Sequence, residues 1–513
     1  MEISVPDESS KSSIRWALLT CFCLGAFLRI YNFWLPNLWL DEYGTWWVVS
    51  GSTWADVAER AIKIQGQSPF YYLIVKLFTG MFGEGSFQLR MPSVIFGILT
   101  LFVAFRLALQ IFHDQNVALA SVAVFSVTEQ LIWFSQNARP YALALFLTLL
   151  SFLFFLHFLQ SRRLRNGTVY AVTTALLIYS HFLFAFVLGV QIIIVTLKFG
   201  WREFFTKTWL LAFLLIAVLC LPLTGQIISL YGRRQTLNWV PQIVQVIQAS
   251  ALARGFADPW ALVLATVTLL TVGLRPIDLR DPPTREILSF LVGWMIIPLA
   301  GLWTVATIIG VSLFEARYVL VIYPAAYYLW AWLMLHVKPA SWLRWLPSGV
   351  FVAATLTMSL IPYLAETGTF RHSEKLGWDQ AARTLAVAGQ PGDLIVLYAA
   401  FIEADLFAQR PQDTYLLSYV GWPLIAHLPP NHGFILLCLP LQQNDRTDPY
   451  IKSLEIQAAK HDRVWVIGPD KQRNYFNEEM ITGFGFRPVH RYLSDAKIQV
   501  TLLVRPLGQA RTR

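Results

Sequence analysis

Long, almost charge-free apolar blocks constrain this chain more than any other feature. Runs such as 92–111, 141–160 and 286–308 match the roughly 20 residues a helix needs to cross a hydrocarbon core of about 30 Å. Inside lipid each backbone N–H and C=O must be satisfied within its own segment, so such runs fold as helices. Only 14% of the 513 residues are charged and 56% are hydrophobic, whereas a soluble chain carries about 25% charged residues. The fold class is a polytopic α-helical membrane protein.

Spans are expected near 16–34, 92–111, 117–134, 141–160, 169–183, 184–199, 208–226, 259–274, 286–308, 317–336 and 342–364, about eleven by the length criterion. The stretch 168–199 is too long for one untilted helix and short for two. Charge decides for two: Arg162, Arg163 and Arg165 precede it, Lys198, Arg202 and Lys207 follow it, and two spans keep both clusters on one face. With Lys11/Arg15, Arg275/Arg280/Arg285 and Lys338/Arg344 on that same face, the N-terminus is cytoplasmic and the C-terminus outside. The outer loops are then 35–90, 135–140, 227–258 and 309–316. The formal net charge of +9 reads as this topology signal, and no nucleic-acid partner is expected. No small-residue cleavage site follows the first block, which reads as an uncleaved span. Tryptophans at block ends (Trp34, Trp39, Trp133, Trp209, Trp342, Trp345) suit an interfacial belt. Four cysteines in apolar spans and a strand-like run suggest neither a disulfide framework nor a thiolate metal site.

Two regions do not cross. Residues 35–90 are too polar, although the runs 53–64 and 69–82 are amphipathic and suited to the interface. After residue 368 the composition becomes that of soluble protein. Strand-like runs at 394–398, 434–439, 464–467 and 499–504 alternate with helical patterns at 378–387, 450–460 and 474–482. This gives a membrane domain, 1–368, carrying the external loop 35–90, and a small soluble α/β domain, 369–513.

The candidate chemistry lies at the outer boundary. Asp41-Glu42 follows the first span. Such a pair is either a solvated loop acid or a group that takes a proton, a cation or a sugar hydroxyl. Arg90, Arg139 and Arg317 each open a span from the outer side, against the positive-inside rule, so each needs a local anionic or polar partner. A lipid headgroup is one such partner and a substrate phosphate the other. His181, at the turn of the split hairpin, reads either as a hydrogen-bonded structural histidine or as part of the same site.

Four segments carry a family resemblance: Leu38-Trp39-Leu40-Asp41-Glu42; Gln67-Ser68-Pro69-Phe70-Tyr71-Tyr72 with Leu89-Arg90-Met91-Pro92-Ser93; Ser135-Gln136-Asn137-Ala138-Arg139-Pro140-Tyr141; and Ala316-Arg317-Tyr318. In their order the chain resembles the GT-C-fold membrane glycosyltransferases of the protein O-mannosyltransferase and aminoarabinose-transferase type, the bacterial glycosyltransferase family 39-like proteins. The resemblance implies a polyprenyl-phosphate-linked sugar donor, a lipid, glycan or protein acceptor bearing a hydroxyl, and inversion at the anomeric carbon. It implies Asp41 as general base, with Glu42 placing the acceptor or a divalent cation. Arg90, Arg139, Tyr141, His181, Arg317 and Tyr318 would face the donor phosphate, and a divalent cation, if used, would fall to Asp41, Glu42 and His181. The setting it implies is the bacterial inner membrane, with the site and the soluble domain on the periplasmic or extracellular side. Two departures stand out: Gln67-Ser68-Pro69 replaces a common His-Pro-Pro, and Asn137 replaces a common Glu.

A transporter or flippase of lipid-linked saccharides is the alternative. It favours mid-span charges and broken helices repeated in both halves. A receptor or anchor whose tail does the work leaves the outer arginines unexplained.

Overall fold

The structure is a computed structural model that describes residues 8–232, 258–310, 313, 315–339, 341–372, 376–429, 431–469, 485–493 and 497–506. Most of loop 227–258, the helical pattern 474–482, Ser312 and Phe314 lie outside these residues. The chain packs into two compact units, residues 1–35 with 66–372, and residues 36–65 with 373–513.

The first unit is a helical bundle. Among the described residues, seven helices are long and apolar enough to cross a membrane, or up to nine when each of two bent pairs is one span. Helices also stand at the two remaining expected positions, Leu164–Ser180 and Pro259–Val272, but with 17 and 14 residues they are shorter than an untilted crossing needs. The expected span 117–134 is a bent pair, Gln115–Val127 and Glu129–Ser135, turning through 61°; Lys207–Cys220 and Leu223–Gly232 form the second, at 57°. Leu221-Pro222 lies at that second break, where a proline in place of an N–H donor removes a helical hydrogen bond. Trp209, expected at the interface, is fully buried with its ring 4.4 Å from that of Phe158, so it belongs to the core.

The first bend frees carbonyl groups that a straight helix would use. Phe125 and Ser126 would ordinarily accept from residues 129 and 130, beyond the break. Arg29, 1% exposed, supplies the donors instead: its guanidinium donates to the carbonyls of Phe125 (2.9 Å), Ser126 (3.0 Å) and Gly25 (2.9 Å). A cation at a helix C-terminus also suits the helix dipole. Gln136 does the reciprocal job, its Nε2 donating to the carbonyls of Leu28 (3.0 Å) and Arg29 (3.1 Å) at the end of the first helix, Glu8–Ile30.

The second unit is built on a five-stranded mixed sheet of order β2-β1-β3-β5-β4. The strands are β1 Leu394–Leu397, β2 Ile435–Cys438, β3 Arg463–Pro469, β4 Arg487–Leu493 and β5 Ile498–Val504. Strand β1 pairs parallel with β2 and β3, while β5 runs antiparallel to both β3 and β4. Every residue of β1 is buried, which explains its unbroken Leu-Ile-Val-Leu run. Asp393 orders the strand ends: it accepts from Arg463 Nε and Trp465 Nε1, both at 2.8 Å.

Residues 36–65, grouped with the membrane domain on sequence grounds, pack with the soluble domain because their polar and aromatic groups find partners there. Trp47 Nε1 donates to Ser418 Oγ (3.1 Å), Gln65 Nε2 donates to Tyr419 Oη (2.8 Å), and Tyr43 Oη lies 2.9 Å from His427 Nε2. Gly44 permits the approach: a Cβ there would come within 2.6 Å of Gln65 Nε2.

Replacing Arg29 by Met is expected to lower stability by about 2–5 kcal/mol, since at least two buried carbonyls lose their donor. Arg29→Lys should recover only part of this, because a compact ammonium cannot span carbonyls on two helices. Thermal unfolding in detergent compares the three proteins.

Candidate active site

The bundle unit joins two of the four sequence segments through one polar network, and ring contacts bring in a third. Arg139, 4% exposed, follows the end of helix Glu129–Ser135, and Tyr141 begins helix Tyr141–Ser161. The Arg139 guanidinium donates to Tyr72 Oη (3.4 Å), and that hydroxyl donates to Gln67 Oε1 (2.9 Å). On its backbone side, the Arg139 carbonyl accepts from Ser93 Oγ (3.2 Å), which lies 2.8 Å from Tyr71 Oη. The tyrosine pair following Gln67 thus fixes both the side chain and the main chain of Arg139. Pro140, with its ring-set φ of −68°, turns the chain into the next helix.

His181 closes the group from another part of the chain. It ends helix Leu164–Ser180, and its ring lies 5.7 Å from that of Tyr141 and 5.9 Å from that of Tyr318. Arg317 holds its guanidinium 5.4 Å from the Tyr318 ring centre, a cation–π distance. Arg139 and Arg317 are the charged neighbours of His181. Its Nδ1 meets no protein partner among the described residues. Two guanidiniums, two phenol rings and an imidazole form a cradle suited to an anion, with hydroxyl and imidazole groups available for oriented hydrogen bonds.

Arg90 is fully buried in the second turn of helix Ser86–Phe112, where it donates to the Phe33 carbonyl (2.9 Å). It sits one turn before Ser93 and ties the exit of the first helix to the bundle. One of its contacts is thus with a backbone carbonyl.

Asp41 and Glu42 belong to the second unit, in the first turn of helix Leu40–Val49. Glu42 is fully buried and occupies the N3 position, where its Oε2 accepts from the Trp39 N–H (3.2 Å). That is a helix-capping role. Asp41, at N2, is half-buried, and a carboxylate in this turn faces the positive end of the helix dipole. Among the described residues, no three His, Cys, Asp or Glu side chains gather as a metal ligand set would.

Sequence reasoning passed over Arg371. It is 2% exposed and donates to Asn137 Oδ1 (2.8 Å), while Asn137 Nδ2 donates to the Trp133 carbonyl (2.7 Å). The signal was present: Arg371 is another arginine on the expected outer side, just past the last span. Gln67, Tyr72 and Ser93 were read only as marks of resemblance; their contacts make them positioning residues for Arg139.

Residues 66–224 match the family described as dolichyl-phosphate-mannose-protein mannosyltransferase. A structure of ArnT from Cupriavidus metallidurans bound to undecaprenyl phosphate is similar over 97% of this chain and 98% of that one, with TM-score 0.53 and 13% identity. The apo form of that protein is similar over 96% and 98%, with TM-score 0.53 and 11% identity. An apo oligosaccharyltransferase from Archaeoglobus fulgidus is similar over 90% of this chain and 70% of that one, with TM-score 0.53 and 11% identity. No curated protein matches the chain. The chain has the fold of the ArnT and oligosaccharyltransferase structures, the GT-C fold, and is a multi-pass membrane protein.

Proposed function

We propose that this protein transfers a sugar from a polyprenyl-phosphate carrier to a hydroxyl acceptor at the non-cytoplasmic face of a bacterial inner membrane. The observation that carries this reading is the convergence of Arg139, Tyr141, His181, Arg317 and Tyr318, from three distant stretches of chain, around a cationic cradle. The ArnT relative's undecaprenyl phosphate supplies the ligand class by analogy.

In the proposed reaction Asp41 accepts the proton of the acceptor hydroxyl. The acceptor oxygen bonds to the sugar anomeric carbon from the face opposite the carrier, and the bond from that carbon to the phosphate oxygen breaks. The electron pair leaves with the polyprenyl phosphate, giving an inverted glycoside. Arg139 and Arg317 stabilise the charge that grows on the departing phosphate, and a phosphate leaving group needs no strong acid. Tyr72, Gln67 and Ser93 hold Arg139 in place. Glu42 fixes the helix turn that presents Asp41.

Transport of the same lipid would call for broken helices in both halves of the chain. Among the described residues both bent pairs precede residue 233.

Purified protein given a panel of polyprenyl-phosphate sugars should show donor-dependent transfer or hydrolysis; no turnover with any of them would defeat the reading. Asp41→Asn should lower kcat by about 10²-fold or more while leaving donor affinity near normal. Normal turnover in this variant would remove Asp41 as base without removing the transferase. Arg139→Ala and Arg317→Ala should each weaken donor binding by about 1.5–3 kcal/mol, the worth of a charged hydrogen bond, measured by carrier-lipid titration.

A further inference from the structure

The end of the bundle away from Arg139 holds a second basic site. Helix Ser86–Phe112 carries the chain there from Arg90, and helix Gln115–Val127 returns it. Between the start of the returning helix and the segments 275 and 332–344 lies a cavity of about 200 Å³, lined by Asp114, Asn116, Arg275, Trp332, His336 and Arg344 among others.

Its walls are held by backbone as well as side chains. Leu274 and Val337 form an antiparallel bridge, the Arg275 N–H donates to the His336 carbonyl (3.0 Å), and the Lys338 N–H donates to the Gly273 carbonyl (2.8 Å). This pairing sets Arg275 beside His336. Arg344 is positioned from the other side: its Nη2 donates to Asn116 Oδ1 (3.3 Å), and its guanidinium lies 5.6 Å from the Trp345 ring centre.

The charge balance favours an anion. Arg275 and Arg344 line the cavity against one carboxylate, Asp114, whose Oδ1 already accepts from the Asn116 N–H (2.7 Å) and Asn116 Nδ2 (3.2 Å). Asn116 and Val117 lie in the first turn of a 13-residue helix, whose N–H groups and dipole favour negative charge. His336, which also lines the cavity, stacks on Trp332 (4.7 Å between ring centres), and its buried Nε2 meets no protein partner among the described residues.

We infer that this cavity binds a phosphate group, as the headgroup of an anionic lipid or as a soluble phosphate, at the bundle end remote from the proposed transfer site. The inference is independent of the sugar-transfer reading, since it is tested by binding alone.

The experiment is native mass spectrometry of the full chain with phosphatidylglycerol or phosphatidylcholine, beside the shift in unfolding temperature with inorganic phosphate. The wild-type protein should retain phosphatidylglycerol over phosphatidylcholine by about tenfold or more, since each headgroup-facing arginine is worth roughly 1 kcal/mol. R275Q/R344Q should lose that preference, R275K/R344K should keep much of it, and R280Q, on an exposed arginine outside the lining, should keep it all. Arg275→Gln alone, at an exposed position, gives a readable variant should the double substitution fail to fold. A phosphate-induced shift without lipid preference, abolished in the same variants, identifies a soluble phosphate as ligand. Absence of both responses in the wild type, or their survival in R275Q/R344Q, overturns the inference.

Discussion

Hydrogen-bond bookkeeping at one broken helix sets the conditions for the rest of the bundle. A bend of 61° inside a membrane span exposes carbonyls where no water can satisfy them. Arg29 meets that demand with its guanidinium, and Gln136 meets the matching demand at the end of the first helix. The exchange fixes two chain ends against each other and so determines where residues 136–141 emerge. Arg139 and Tyr141 lie in that emergent segment. The bend is thus what allows a loop carrying an arginine to sit 4% exposed.

From there the polar groups support one another in sequence. Tyr71 and Ser93 hold the Arg139 carbonyl, and Tyr72 and Gln67 hold its side chain. His181, with Arg139 and Arg317 as its charged neighbours, adds a hydrogen-bonding imidazole to the same group.

The parts of this structure legible in the sequence are those governed by one periodicity or one charge rule. Helix Tyr141–Ser161 and strand β1 are continuous apolar runs, and the sequence placed both within a residue or so at each end. Arg139 and Arg317 stood out because they oppose the positive-inside rule in the topology expected from charge. What stayed hidden depends on long-range contacts. Nothing local in residues 117–134 announces a 61° bend, which is stabilised by Arg29, almost a hundred positions away. Strand β4, Arg487–Leu493, carries His490 and Arg491 and becomes a strand through its pairing with β5. The grouping of residues 36–65 with the soluble unit rests on Trp47, Gln65 and their partners near residue 419, which no pattern within the loop reveals.

Asn137 shows what an amide does in this segment. It accepts from Arg371 through Oδ1 and donates to the Trp133 carbonyl through Nδ2. A carboxylate could make the first contact but not the second, because it has no proton to donate. Nor would it leave the charge balance alone: an ionised Glu beside Arg371 would neutralise it, whereas the amide binds it and leaves its charge in place. Asparagine in place of glutamate would thus forgo an ion pair, gain a helix-end carbonyl contact, and keep segment 136–140 as cationic as Arg139 makes it. In a segment whose proposed partner is a phosphate, that is the electrostatically favourable exchange.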